Sequence, residues 1–262
     1  MKSLNKKHLD LALLTLVYAA LWAPVVIVIF YSFSNNKFGL SWEGFTLKWY
    51  GALIHNAEVT SALMRSLFIT SITVVVATIV GTSVAYGLYK YKFRGKDLLR
   101  TGILLPIIMP SIVTGGALLV LFTKVIPIPL GYPSIIIAHI TFCVPIVIFI
   151  VLGRMARIDW TLEEASADLG ANTLTTWRKI TAPLLLPAVL ASMMIVFPWS
   201  FNDFTITYFV TGLGVTTLPL YIFSQMVHGS QGVMLNVIAT ILVMLPIFIL
   251  LLRNFSQRKE VT

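Results

Sequence analysis

The sequence predicts an all-α, polytopic membrane protein with six transmembrane helices and both termini in the cytoplasm. Hydrophobic residues make up 58% of the 262 residues and charged residues only 11%, whereas soluble domains average about 45–50% apolar and about 25% charged residues. The mean hydropathy is +0.91. Because apolar runs recur along the whole sequence, we expect residues 1–262 to form a single transmembrane domain without a separate soluble domain.

Six apolar runs are long enough to cross a bilayer, which takes about 20 helical residues. The first run follows a charged segment, as in a signal peptide. This run is too long for the apolar region of a signal peptide, and no small-residue cleavage site follows it. We therefore expect it to be retained as a span. Prolines inside several runs indicate either helices kinked around a pathway or ordinary packing distortions. The predicted spans are residues 11–33, 66–89, 101–123, 134–153, 188–211 and 233–252.

The distribution of basic residues predicts the orientation of these spans. Of the 19 lysines and arginines, 15 fall at the two termini, in the loop between the second and third spans, or in the loop of residues 154–187. Only Lys37, Lys48, Arg65 and Lys124 fall on the opposite face. By the positive-inside rule the more basic face is cytoplasmic, so residues 154–187 are expected to form a cytoplasmic loop.

Residue patterns that carry catalysis or bind metals and nucleic acids are missing from the sequence. It has no Gly-x-x-x-x-Gly-Lys-Ser/Thr phosphate loop and no His-Glu-x-x-His pattern, so we expect no catalytic residue, metal site or cofactor. Cys143 lies in an apolar run and is expected to be a small core residue, and His139 a packed or hydrogen-bonded one. The net charge is +9, but the basic residues are not interleaved with aromatic ones as on a nucleic-acid-binding surface. No nucleic-acid partner is therefore expected.

The longest polar stretch in the second half of the chain, TLEEASADLGANTLTTWRKI, predicts a helical hairpin. Thr161 is followed by Glu164 at the spacing of a capping box, which marks a helix start. Gly170 suits the left-handed position that ends a helix. A second helix is expected to restart with Asn172 or Thr173 as its cap.

The second helix of this hairpin is predicted to be amphipathic. Leu174, Trp177 and Ile180 recur every third residue and form one apolar stripe. Such a helix can lie on lipid headgroups, serve as a simple linker, pack against the spans, or dock its apolar face into a partner's groove. The residues of the hairpin leave all four interpretations open.

The segment EASADLGANTLTTWRKITAPLLLP resembles the cytoplasmic signature loop of ABC importer inner-membrane permeases. That loop begins Glu-Ala-Ala, contains a glycine and continues through Ile-x-Leu-Pro; here Ser166 stands at an alanine position and Ala182 at a leucine position. In the family the loop forms coupling helices that sit in a cleft of the ATP-hydrolysing subunit. The resemblance therefore implies a role in ATPase coupling for Glu164, Ala165, Ser166, Gly170, Trp177, Ile180 and Pro183.

Further segments are similar to one branch, the second permease subunits of spermidine/putrescine importers. They are YSFSNNKFGLSWEGFTLKWYGAL, AHITFCVPIVI and FVTGLGVTTLPLYIFS, and the similarity extends along nearly the whole chain. The resemblance implies a type I ABC importer permease, not itself an enzyme, that carries a polyamine across a bacterial inner membrane. It implies contact with membrane lipid and three protein partners: a second permease subunit in a heterodimer, an ATPase dimer and an extracytoplasmic substrate-binding protein. A permease for another small cationic or polar solute and, less readily, a secondary transporter stay open as alternatives.

Asp203 is the only charged residue in the predicted fifth span. At about 1.5 Å of rise per residue it is expected in the outer half of that span. Acids inside a membrane usually face a cavity or a partner, and the neighbouring aromatic rings offer cation–π contacts. Asp203 is therefore expected either to contact a passing cation, or to cap a helix or pair with Arg65 or Lys124.

The resemblance also indicates where the pathway departs from the branch. Its members usually carry further acids at two positions, which Asn202 and Ser111 occupy in this chain. The predicted pathway residues are Asp203, Asn202, Trp199, Tyr208 and Ser111.

Overall fold

A computed structural model gives the fold, and every regular element in its described part is helical. The described backbone covers residues 2–39, 41–228 and 232–259, with side chains described for the same residues except 2–9, 250 and 252–259. The basic side chains at the two termini, used above to orient the spans, thus lie outside the described residues. The α-helices are α1 (Lys2–Ser32), α2 (Lys48–Ile54), α3 (Ala57–Lys90), α4 (Lys96–Ile108), α5 (Ser111–Val120), α6 (Tyr132–Met155), α7 (Thr161–Asp168), α8 (Thr173–Thr176), α9 (Ala182–Phe201), α10 (Thr205–Val210), α11 (Leu218–His228) and α12 (Gly232–Lys259).

The described residues fall into two compact units, the first made of Met1–Ser61 and Tyr221–Thr262. In this unit α1 and α2 both pack against α12. The hydroxyls of Ser32 and Tyr50 share a hydrogen bond of 2.7 Å, which joins the end of α1 to α2. The apolar side chains of α1 are largely exposed, as expected for a helix that contacts membrane lipid.

The second unit, Ala62–Leu220, is built around α6. This helix packs against α4, α9 and α10, and α10 also packs against α5. The centre of α6 is fully buried at Val147 and Val151. A β-carbon on Gly81 of α3 would lie 2.6 Å from Cβ of Val147, so the missing side chain lets the two helices approach closely, as small residues do between membrane helices.

Five helices are long and apolar enough to cross a membrane, and a bent pair brings the number to six if it counts as one span. The described residues thus confirm the all-α polytopic fold. Four predicted spans lie within single helices to within one residue, and two differ from the structure.

The predicted third span, 101–123, is broken in the middle. Helices α4 and α5 meet at an angle of 107°, with Met109 and Pro110 extended between them. The break lies at Pro110, one of the prolines expected to mark a kink or a packing distortion, because a proline disfavours the helical conformation of the residue before it and supplies no amide to the preceding turn. After α5 the chain continues as a π-helical turn, Leu121–Val125.

The predicted fifth span, 188–211, begins earlier and ends sooner in the structure. A helical segment runs from Thr173 through a π-helical turn, Trp177–Thr181, to Phe201. Pro183 lies in the first turn of α9 without breaking the segment. The wide turn lies just before it, where an ordinary turn would need the amide that proline lacks.

Candidate functional site

The polar hairpin, residues 161–180, begins with a cap that differs from the predicted one. Oδ1 of Asp159 accepts hydrogen bonds from the Thr161 amide at 3.1 Å and hydroxyl at 2.8 Å. The predicted capping box of Thr161 and Glu164 was wrong, because α7 begins at Thr161 itself and has no side-chain cap from its preceding residue. The side-chain hydrogen bond from Thr161, followed by the backbone one, lowers the pKa of the exposed Asp159 carboxyl.

The turn and the second cap of the hairpin agree with the sequence prediction. Gly170 has φ +78°, the left-handed conformation in which glycine avoids the steric cost of a β-carbon. Oδ1 of Asn172 accepts a hydrogen bond of 2.8 Å from the Thr175 amide and caps the second helix. The hydroxyls of Ser166 and Thr176, 2.9 Å apart, join the two arms.

The apolar stripe of the second helix is divided between two faces. Trp177 packs edge-on against Tyr86 of α3, with ring centroids 4.8 Å apart, whereas Leu174 is 73% exposed. A wide π turn starts at Trp177, so residues no longer align at the α-helical period. The two most exposed large apolar side chains of the hairpin are Leu169 and Leu174, which flank the glycine turn.

The predicted ATPase-coupling residues therefore fall into two groups. Glu164, Ala165, Gly170 and Pro183 are exposed. Ser166 is buried, and Trp177 and Ile180 are partly buried. The buried group shapes the hairpin, and the exposed group is available to a partner.

Glu163, which no sequence pattern singled out, fixes the hairpin to two neighbouring elements. Its Oε2 accepts a hydrogen bond from the Lys90 ammonium at the end of α3. Its Oε1 accepts one of 2.5 Å from the Thr181 hydroxyl, in the π turn that leads into α9. A pocket of about 330 Å³ lies beside these contacts and is lined in part by Glu163 and Glu164. Lys90 and Glu163 are 73 residues apart, too far for helical spacing to reveal the pair.

Asp203 lies just beyond the end of α9 rather than inside a span. Its Oδ2 accepts hydrogen bonds from the Thr207 amide at 2.8 Å and hydroxyl at 2.9 Å, so the carboxylate caps α10. Nε2 of His139 is 3.5 Å from the same oxygen. Of the two groups predicted as alternative partners, neither Arg65 nor Lys124 forms an ion pair with it among the described residues.

His139 connects this carboxylate to the core of the second unit. The side chain is buried, with Nδ1 2.8 Å from the Ser200 hydroxyl and Nε2 2.9 Å from the Thr207 hydroxyl. Sequence analysis predicted a hydrogen-bonded core histidine, and the structure confirms it. Cys143 is also buried, as predicted.

A pocket of about 180 Å³ opens beside Asp203 at the break between α4 and α5. It brings together three predicted pathway residues, Ser111, Trp199 and Asp203, together with Thr114. Two other predicted residues, Asn202 and Tyr208, are exposed and lie outside this lining. The break in the predicted third span therefore places Ser111 beside the acid.

Residues 77–261 match a family described as the inner membrane component of binding-protein-dependent transport systems. This match covers more than half of the chain. The chain belongs to this family. The family is one of transport components of the inner membrane, so the expected multi-pass location in a bacterial inner membrane and the expected role as a transport subunit are both confirmed.

Several known proteins are similar to this chain over most of their own length. The spermidine/putrescine transport system permease protein PotC of Escherichia coli K12 is 39% identical over 94% of this chain and 93% of its own. The protein of the same name from Haemophilus influenzae is 38% identical over 95% and 96%, respectively. The putrescine transport system permease protein PotI of E. coli K12 is 34% identical over 88% and 84%.

Solved structures support the same fold. A chain of a bacterial ABC transporter involved in import of the acidic polysaccharide alginate aligns with a TM-score of 0.76 at 14% identity, over 98% of both chains. A chain of the MetNI methionine ABC transporter aligns with a TM-score of 0.56 at 18% identity, over 83% of this chain and 100% of its own. At these identities the likeness shows the fold alone.

Proposed function

We propose that this chain is the permease subunit of an ATP-driven ABC importer and forms half of the translocation pathway for a polyamine, spermidine or putrescine. The observation that carries the proposal is its similarity, over nearly the whole length of both chains, to permease proteins named for these substrates. The helical fold shared with chains of ABC transporters supports the ATP-driven mechanism.

The proposed assembly has three kinds of protein partner in the surrounding membrane lipid. A second permease subunit completes the pathway as a heterodimer, an ATPase dimer hydrolyses ATP, and an extracytoplasmic binding protein delivers the substrate. Both termini and residues 154–187 lie in the cytoplasm, because the basic residues concentrate on that face.

The polar hairpin docks on the ATPase in this proposal. Its exposed side chains include an acid, Glu164, and two apolar residues, Leu169 and Leu174. Leu169 is 89% exposed, and large apolar side chains grouped on a surface mark an interaction site. The short second helix, capped by Asn172, and the glycine turn keep this surface in a defined shape.

The pocket beside Asp203 is the proposed point at which the substrate cation contacts the pathway. The hydrogen bonds from Thr207 and the contact with His139 all meet Oδ2, so Oδ1 has no hydrogen-bond partner among the described residues. A free carboxylate oxygen with Ser111 and Trp199 beside it suits an ammonium group, through charge and through contact with an aromatic face.

The same pocket favours a second candidate substrate, a small solute that carries a single cationic or polar group. Asp203 is the only acid in its lining, and Asn202 and Ser111 stand where the polyamine branch usually has acids. A polycation would meet one carboxylate here instead of several.

The experiment that tests the proposal is reconstitution of the chain with its partner permease, ATPase and binding protein in proteoliposomes. ATP-dependent uptake of labelled putrescine and spermidine is compared with uptake of lysine and of an uncharged sugar. Uptake of either polyamine that requires both ATP and the binding protein supports the polyamine importer. Uptake of lysine without polyamine uptake would favour the second candidate.

A further inference from the structure

We propose that Glu163 is a positioning residue that transmits the movement of the hairpin to the membrane helices, through its ion pair with Lys90. The inference rests on the proposed function, since it takes the ATPase as the source of that movement. It assigns separate tasks to two neighbouring acids, of which Glu164 meets the partner and Glu163 holds the chain's own helices.

The two oxygens of the Glu163 carboxylate bind two different elements. Oε2 receives the Lys90 ammonium from the end of α3, and Oε1 receives the Thr181 hydroxyl from the turn that leads into α9. One side chain of α7 thus connects the hairpin to two long helices at once. Any displacement of α7 acts on both through this carboxylate.

The burial of the two glutamates separates their tasks. The Glu163 side chain is only 11% exposed, so a partner has little access to it, whereas Glu164 is exposed. Among the described residues, Lys90–Glu163 is the only ion pair between a lysine or arginine and an acid. Partial burial also shields the pair from screening by salt.

Aromatic contacts support the ion pair and make the joint stiff. Trp160, just before α7, stacks on Tyr89 with ring centroids 5.1 Å apart, and the Lys90 ammonium lies 5.2 Å from the centre of the Trp160 ring. On the other arm of the hairpin, Trp177 packs against Tyr86. The last turn of α3 is therefore held from both arms of the hairpin.

The helix that receives this contact is long enough to act as a lever. Its 34 residues extend about 50 Å at the usual rise per residue. A shift applied at Lys90 tilts the whole of α3, whereas a flexible loop would absorb the same shift. A hydrogen-bonded charge pair whose acid is largely buried suits this task, because its geometry is fixed by both partners.

The first test compares Glu163→Gln with Glu164→Gln in the reconstituted importer. Co-purification of the ATPase, ATP hydrolysis and substrate uptake are measured on the same preparations. For Glu163→Gln we expect the ATPase to co-purify and hydrolyse ATP, while uptake per ATP falls on the order of tenfold, as befits the loss of one charge-assisted hydrogen bond. For Glu164→Gln we expect weaker co-purification with unchanged uptake per ATP in the complexes that form.

A charge exchange provides the rescue. Lys90→Glu alone is expected to lower uptake per ATP as Glu163→Gln does. The combination of Lys90→Glu with Glu163→Lys is expected to raise uptake per ATP several-fold above that of Lys90→Glu alone. If Glu163→Gln leaves uptake per ATP unchanged, or if it removes ATPase binding as Glu164→Gln does, Glu163 does not transmit movement and the proposal is overturned. If the unaltered chain binds no ATPase, the proposed function fails instead, and the two failures are distinguishable.

A covalent link keeps the proposal testable if the substitutions impair folding. In a chain with Lys90→Cys and Glu163→Cys the two positions are joined by a short bifunctional maleimide after assembly, and test and control chains both carry Cys143→Ser in place of the buried cysteine. Because the unlinked Lys90→Cys, Glu163→Cys chain lacks the ion pair, its uptake per ATP is expected to be low, and linking the two residues, which move together in this mechanism, is expected to restore much of it. Loss of uptake on linking would show that the contact opens during transport and would overturn the proposal.

Discussion

Asp203→Asn removes one negative charge from the pocket while keeping the size of the side chain. The amide oxygen of asparagine can still accept from Thr207, whose amide and hydroxyl lie 2.8 Å and 2.9 Å from Oδ2. The cap of α10 is therefore weakened but kept. Hydrogen bonds to charged acceptors contribute about 1.5–3 kcal/mol and those to neutral ones about 0.5–1.5 kcal/mol, so we expect a loss of about 1 kcal/mol in the free energy of unfolding.

The effect on transport is expected to be larger. A carboxylate and an ammonium about 4 Å apart attract by about 4 kcal/mol at the effective dielectric constant of a partly exposed site. Desolvation of the cation offsets much of this attraction. If about a third of this attraction lowers the barrier to transport, its loss in Asp203→Asn reduces the rate of uptake about tenfold, because each 1.36 kcal/mol is a factor of about ten.

The assay is the initial rate of labelled polyamine uptake, divided by the amount of protein in the membrane. Asn202→Asp serves as the matched variant, since it adds an acid next to Asp203 and is expected to raise uptake of spermidine over that of a monovalent cation. Should uptake and protein amount fall in parallel in Asp203→Asn, the carboxylate acts only as a helix cap, and its contact with the substrate would be refuted.

Three further predictions concern the hairpin. Glu164→Lys and Gly170→Arg should each leave membrane insertion intact and abolish uptake, because both sites are exposed and an arginine is strained at the φ of +78° that shapes the turn at Gly170; normal uptake in both, with unchanged protein amounts, would contradict the docking role. Asn172→Ala should lower the stability of the hairpin by about 1 kcal/mol through loss of the cap, measured as faster limited proteolysis of that loop, and an unchanged rate would show that the cap does not matter. Leu169→Ser with Leu174→Ser should weaken ATPase binding at least about tenfold without changing the thermal unfolding midpoint, since both leucines are exposed; unaltered binding would place the docking surface elsewhere.

Sequence reasoning succeeded at features fixed by neighbouring residues. The apolar runs give the helices because their length suits the bilayer, and Gly170 and Asn172 act within a few residues of their own position. The cap at Thr161 failed even at this range, because the helix begins at Thr161 itself and the acid two residues earlier accepts from its amide and hydroxyl. A local pattern predicts well only when no stronger partner lies beside it.

Features that depend on packing were out of reach. The pairing of Glu163 with Lys90 joins residues 73 positions apart, and the π turn at Trp177 shifts the helical phase so that a regular stripe divides between two faces. Pro110 was visible in the sequence, but a proline marks a mild kink as well as a bend of 107°. The sequence therefore does not give the size of the bend. That bend is what brings Ser111 next to Asp203.

The central claim is that a partner ATPase drives a polyamine through this permease by way of the hairpin. The most direct measurement is polyamine uptake into proteoliposomes with and without ATP, the ATPase and the loaded binding protein. The account predicts uptake only when all three are present, and its loss in Glu164→Lys. Uptake by the chain alone, driven by a proton or sodium gradient, would contradict it.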